Sequence, residues 1–197
     1  MTTAPPPPMP PEVTVAGRRA TAWATIALAL LLVAAAIMLR GQQRPKSGLE
    51  GQRVPVATLP RLEPKAQPEV QRVEVGAAGP RPTLLHFWGP SCPPCVAHGG
   101  DIDALARGAA ADGFAMWTIS ADEPGEIRAL MAQKGWTFPV LHDAALKAHA
   151  AFRVFALPSA FALDRAGVVR RAFPADASAE DVRAAMRDLA DAAAQKE

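Results

Sequence analysis

Hydrophobic and polar positions divide the chain into an apolar block, a mixed stretch and a half in which short apolar runs alternate with amphipathic ones. From Ala20 to Leu39 no residue is charged, and Ile26 to Val33 is continuously apolar. About twenty such residues match the ~30 Å hydrocarbon core of a bilayer. The run also lacks the polar stripe that an amphipathic helix on a soluble core would carry. It predicts a transmembrane helix over residues 20–39, in contact with membrane lipid. A cleaved signal peptide is the rival reading, with Arg18-Arg19 as its charged start. Signal cores usually run about 7–15 residues and end at a small-x-small site, whereas this run is longer and finishes Ile37-Met38-Leu39-Arg40. The span is therefore read as an uncleaved anchor.

The flanks differ from each other. Residues 1–19 hold Pro5 to Pro8, Pro10 and Pro11, a composition that favours polyproline II or disorder over a core. Residues 40–75 are rich in Pro, Gln, Arg and Glu with scattered apolar positions, and read as a tether carrying an edge strand at Val70 to Val75. The remaining 76–197 form the predicted globular domain.

In that domain Thr83 to Trp88 and Phe114 to Ile119 are short apolar runs that fit buried strands. Pro94 to about Ala111 places Cys95, Ile102, Leu105 and Ala109 near helical spacing. A second helix is predicted from Pro124 to Lys134, with Asp122 as its cap, Ile127, Leu130 and Met131 inward and Gly135 as its stop. A third is expected over Ala144 to Phe152. Ser159 to Leu163 and Val168 to Phe173 flank Asp164-Arg165-Ala166-Gly167, a hairpin pattern. Ser178 opens a final helix, with Asp181 completing a box-like cap and Val182, Ala185, Met186 and Leu189 on one face. Alternating strands and helices, closed by a hairpin and a helix, predict an α/β domain around one central sheet.

Composition narrows the function. Of 20 prolines only Pro124, Pro139, Pro158 and Pro174 lie beyond residue 100, so the back of the chain is free to form regular elements. The net charge of +2 is not gathered on one face, which argues against nucleic acid as a partner. The two cysteines stand as Cys92-Pro93-Pro94-Cys95, too close together to staple a fold. A pair so spaced is catalytic or metal-binding.

Its position favours catalysis. The pair lies where a strand ends and a helix begins, and a helix N-terminus offers unpaired N–H groups and a positive dipole end that stabilise a thiolate. Pro94 suits the first turn, where no donor is needed. Cys92 is then the attacking thiol, and Cys95 the more buried thiol that resolves the mixed disulfide. A structural zinc site would want a second Cys/His pair, and none stands out. A c-type haem attachment would want His directly after Cys95, where Val96 stands.

Phe87-Trp88-Gly89-Pro90-Ser91-Cys92-Pro93-Pro94-Cys95 resembles the thioredoxin active-site segment. Phe138-Pro139-Val140-Leu141-His142-Asp143 followed by Phe152 to Asp164 resembles the second sequence block of the TlpA/ResA/DsbE branch, membrane-tethered thioredoxin-like proteins of the bacterial inner membrane. The resemblance spans about residues 70 to 195. It implies a thioredoxin-like fold, Pro158 as a cis-proline beside the cysteines, and Trp88 packed under the active-site loop. Three positions depart from the family. His86 stands where relatives have a buried Asp or Asn, His98 stands where an acidic residue is common, and the usual proline further into the helix is absent. His86 reads either as a core residue or as part of the site. His98 reads either as a surface residue or as an aid to proton transfer near Cys95. Leu157, before the cis-proline, occupies a position that tunes substrate preference in the family.

The resemblance implies a tethered thiol-disulfide oxidoreductase, reducing envelope proteins of the kind served in cytochrome c maturation or copper-centre assembly. It further implies a DsbD/CcdA-type membrane electron donor and no cofactor or metal beyond the Cys92–Cys95 disulfide. The expected location is the inner membrane, single-pass, with the C-terminal domain periplasmic. Flanking basic residues count the other way, with Arg40, Arg44, Lys46 and Arg53 after the span against Arg18 and Arg19 before it. Large C-terminal domains translocate regardless of such charge, so the resemblance takes precedence. The alternative is a copper chaperone using Cys92, Cys95 and His98, since thiolates and imidazole suit copper.

Overall fold

The computed structural model describes Leu28, residues 48–63 and residues 71–195. The predicted tail, and the predicted anchor apart from Leu28, lie outside the described residues. Among the described residues no helix is long and apolar enough to cross a membrane.

The apolar runs become the middle of a seven-stranded sheet. β1 (Ala57–Leu62), β2 (Arg72–Val75), β3 (Thr83–Phe87), β4 (Ala115–Ser120), β5 (Val140–His142), β6 (Ser159–Leu163) and β7 (Val169–Phe173) lie in the order β2-β1-β5-β4-β3-β6-β7. β3, β4 and β5 pair in parallel, which requires crossover helices. α1 (Pro93–Gly108) and α2 (Pro124–Lys134) supply them. β6 and β7 add antiparallel strands on one side, β1 and β2 on the other.

Because successive strand residues point to opposite faces, Leu84 and Leu85 enter different cores. Leu84 joins Leu105, Phe114, Met116, Phe173, Val182 and Met186, under α1 and α4 (Ala179–Ala194). Leu85 joins Phe87, Ile119, Leu141, Phe152 and Phe161 on the other face, where α3 (Lys147–Ala151) lies. A third cluster gathers Trp88, Cys95, Ile127, Phe138 and Val140 at the end of the sheet that carries the cysteines.

Three expectations change and one holds. The segment read as a tether contributes β1, a strand the sequence reading did not place, and buries Leu49, Val54, Ala57 and Leu59 in the core. The predicted edge strand is confirmed in its described part as Arg72–Val75, paired with β1. The third helix is shorter than Ala144 to Phe152: it covers Lys147–Ala151 and follows Leu146 in the left-handed region. Finally, Asp122 does not cap α2. The cap position is Glu123, which makes no side-chain cap hydrogen bond, and Asp122 serves the active-site loop instead. By contrast Gly135 ends α2 at φ +68, and Ser178 caps α4 by accepting from the Asp181 N–H at 3.1 Å.

Candidate active site

Burial of β3 carries the chain through Phe87 and Trp88 to the edge of the core, and the helix that must cross back to β4 starts within five residues. The two cysteines fall on that start. Cys92 is the N-cap of α1, in extended conformation, and its Sγ accepts from the Cys95 N–H at 3.3 Å. Pro93 and Pro94 occupy the first turn, where their missing N–H groups cost nothing. The two sulfurs are joined in a disulfide with Cα atoms 5.3 Å apart. Cys92 is half-buried and Cys95 is 3% exposed. The order of roles inferred from the sequence is thus the order of accessibility.

Trp88 fixes the floor. It is 2% exposed, and its Nε1–H donates to the Thr118 hydroxyl at 3.2 Å, which in turn donates to the Pro139 carbonyl at 2.9 Å. Its ring meets Phe138 edge-on at 5.2 Å between centroids. Asp103, buried on α1, accepts from the Thr137 N–H at 2.6 Å and the Phe138 N–H at 3.0 Å. The cysteine-bearing helix is thereby tied to the segment under Trp88. Asp122 holds the loop before Cys92, accepting from the Ser120 hydroxyl at 2.9 Å and the Ser91 hydroxyl at 3.4 Å. Gly89 leaves room for that carboxylate, since a Cβ would lie 2.5 Å from Asp122 Oδ2 and displace it. Neither carboxylate role was found from sequence. Spacing along a chain does not report which loop a side chain will meet 31 or 34 residues away.

The Leu157–Pro158 peptide is cis, as the resemblance implied. Leu157 packs against the cluster that holds Trp88, Cys92 and Cys95. On the far side of Cys95 lies a cavity of about 370 Å³ whose wall includes His86, Cys95, Ile102, Pro158 and Phe173, with His98 also lining it. His86 is 8% exposed. Burial, with a smaller electrostatic contribution from His98, pushes its pKa down to about 4, so the ring that faces the cavity is neutral near pH 7. His98 itself is solvent-exposed, with Nδ1 3.8 Å from Asp101. The structure therefore brings together Cys92, Cys95, Trp88, Leu157 and Pro158, with His86 and His98 on the cavity side. Among the described residues, no three His, Cys, Asp or Glu side chains are placed as metal ligands.

Comparison with known proteins places this geometry. The AhpC/TSA family profile matches residues 51–172. The fold resembles StoA from Bacillus subtilis, with 18% identity and a TM-score of 0.56 over 66% of this chain and 95% of that one. It resembles peroxiredoxin Q from Xanthomonas campestris at 21% identity and a TM-score of 0.57, over 68% and 91% of the two chains. A secreted thiol-disulfide isomerase from Corynebacterium glutamicum gives 18% identity and a TM-score of 0.57, over 70% and 85%. No curated protein matches the sequence. At these identities the structural likenesses speak for the thioredoxin-like fold.

Proposed function

The chain belongs to the AhpC/TSA family, and from that premise we propose a membrane-tethered reductant of disulfides in proteins of the cell envelope. Its class, thiol-disulfide oxidoreductase, follows from the family and the Cys92–Cys95 disulfide. The observation that carries the mechanism is the unequal burial of the two sulfurs at the start of α1.

In the reduced state the Cys92 thiolate sits at the helix N-terminus, held by the Cys95 N–H and the positive end of the helix. It attacks one sulfur of the substrate disulfide, the S–S bond breaks, and the other substrate sulfur leaves as a thiolate. Cys95 then loses its proton and attacks Cys92, releasing the second substrate thiol and closing the intramolecular disulfide. Two electrons pass from the protein dithiol to the substrate, and its two protons end on the released thiols. Regeneration requires an external dithiol donor, which for a tethered domain is a membrane protein of the DsbD/CcdA type. The apolar span at 20–39 and the sequence likeness to the TlpA/ResA/DsbE branch support an inner-membrane anchor with a periplasmic domain. They also support substrates in cytochrome c maturation or copper-centre assembly. The copper-chaperone reading has less support, because His98 is turned to solvent beside Asp101.

Trapping tests this reading. In cells, Cys95→Ala of the full chain should accumulate mixed disulfides on Cys92, visible on non-reducing gels and absent in Cys92→Ser/Cys95→Ala. Trapped partners that are all cytosolic would overturn the envelope assignment. A reduction potential of about −120 mV, typical of a strong oxidant, would reverse the direction.

A further inference from the structure

Phe155 is 92% exposed, the most exposed of the large apolar side chains among the described residues. It does not sit on a loose tip. Before it, Phe152 is fully buried and the Val154 N–H donates to the His149 carbonyl at 2.9 Å. After it, the Ser159 hydroxyl donates to the Ala156 carbonyl at 2.7 Å, and Leu157 packs into the cluster of Trp88, Cys92 and Cys95. The backbone is therefore held on both sides while the phenyl ring stands in water, where it forgoes the burial a Phe normally achieves. Two residues of chain span at most about 7 Å, so the Phe155 backbone stands within that distance of Leu157, which packs with Cys92 and Cys95.

We propose that Phe155 is a specificity-determining residue that packs against an apolar side chain flanking the cysteine of an extended polypeptide substrate. This rests on the disulfide-exchange reading above. A small disulfide such as oxidised glutathione brings no apolar side chain for Phe155 to pack against, whereas a polypeptide with apolar residues beside its cysteine does. The ring thus separates two substrate classes that share the same reacting bond.

The test uses the full chain, reduced, and two peptides identical except around one cysteine carried as a mixed disulfide with glutathione. In one the cysteine is flanked by leucines, in the other by serines. Oxidised glutathione serves as the small substrate. The parent should reduce the leucine peptide roughly tenfold faster than the serine peptide. Phe155→Ser should erase that preference by slowing the leucine peptide alone, with Phe155→Leu keeping most of it and the glutathione rate unchanged in both. Being so exposed, the position tolerates these changes without loss of fold, and a matched circular dichroism melt checks this. Equal rates on both peptides in the parent, or a Phe155→Ser variant that retains the preference, would overturn the assignment while leaving the exchange reading intact. A parent that sediments as a dimer and becomes monomeric in Phe155→Ser would assign the ring to self-association instead, overturning the proposal. A parent that reduces none of the three substrates would reject the exchange reading and this inference with it.

Discussion

At the residue scale, His86 converts the site's burial into a pH dependence. Its folded pKa is about 4 against an ordinary value of 6.5, because burial and His98 disfavour the charged ring. Between those values the unfolded chain holds a proton that the folded chain does not, so stability rises with pH through this window and is lost as pH falls from 6.5 toward 4. At ~1.4 kcal/mol per unit the contribution is about 3 kcal/mol. Urea unfolding of the parent and His86→Gln at pH 7 and pH 4.5 should show the variant losing less stability on acidification, and parallel losses would refute the shift. The chemistry of Cys92 and Cys95 was legible in the sequence because thiols act through their own covalent nature, and the cis bond at Pro158 was reached through the family resemblance. The roles of His86 and Phe155 were not, because burial and exposure belong to the assembled surroundings. A phenylalanine in an apolar block reads as core until the fold turns it outward.

At the element scale, α1 must lie close enough to the 136–138 segment for Asp103 to reach two of its N–H groups. Gly99 permits that approach, since a Cβ there would overlap the Trp136 ring. Gly99→Ala therefore forces α1 away from Trp136, and overpacking of this kind typically costs about 1–3 kcal/mol. The urea midpoint should fall accordingly, and Trp136→Leu in the Gly99→Ala background should recover part of the loss. A Gly99→Ala variant as stable as the parent would remove the packing argument, because alanine is otherwise the better helix former by ~1 kcal/mol. Periodicity found α1, α2 and α4 because each turns apolar residues at helical spacing to the core, such as Ile127, Leu130 and Met131 in α2 and Val182, Met186 and Leu189 in α4. It overextended α3, whose start is set by the buried Asp143 accepting from the Lys147 and His149 N–H groups at 2.8 and 2.9 Å. It also misassigned Asp122, since a carboxylate one residue before the cap can turn back toward Ser120 and Ser91 as readily as forward.

At the scale of the whole molecule, the domain starts earlier than its composition indicates. β1 escaped notice because only Ala57 and Leu59 alternate inward, and Pro60 interrupts the pattern. The proline is accommodated because residues 57–60 pair with β2, while pairing to β5 begins at Arg61. β1 covers the β5 side of the parallel strands and joins them to β2, and the residues around it bury Leu49, Val54, Ala57 and Leu59. Full burial of large aliphatic side chains such as Leu49, Val54 and Leu59 is worth about 1.5–3 kcal/mol each. Their sum, of order 5–9 kcal/mol, is comparable with the ~5–15 kcal/mol stability of an entire domain. A chain beginning at residue 76, the boundary suggested by composition, should therefore fail to unfold cooperatively and should bind hydrophobic dyes, exposing the β5 edge. A chain beginning at residue 45 should melt in one transition at the temperature of the globular part of the parent. Cooperative melting of the shorter chain at that same temperature would mean that β1 and β2 are decoration on a self-sufficient core. The sheet argues otherwise, because β5, the strand that follows the segment under Trp88, would then lie at an unprotected edge.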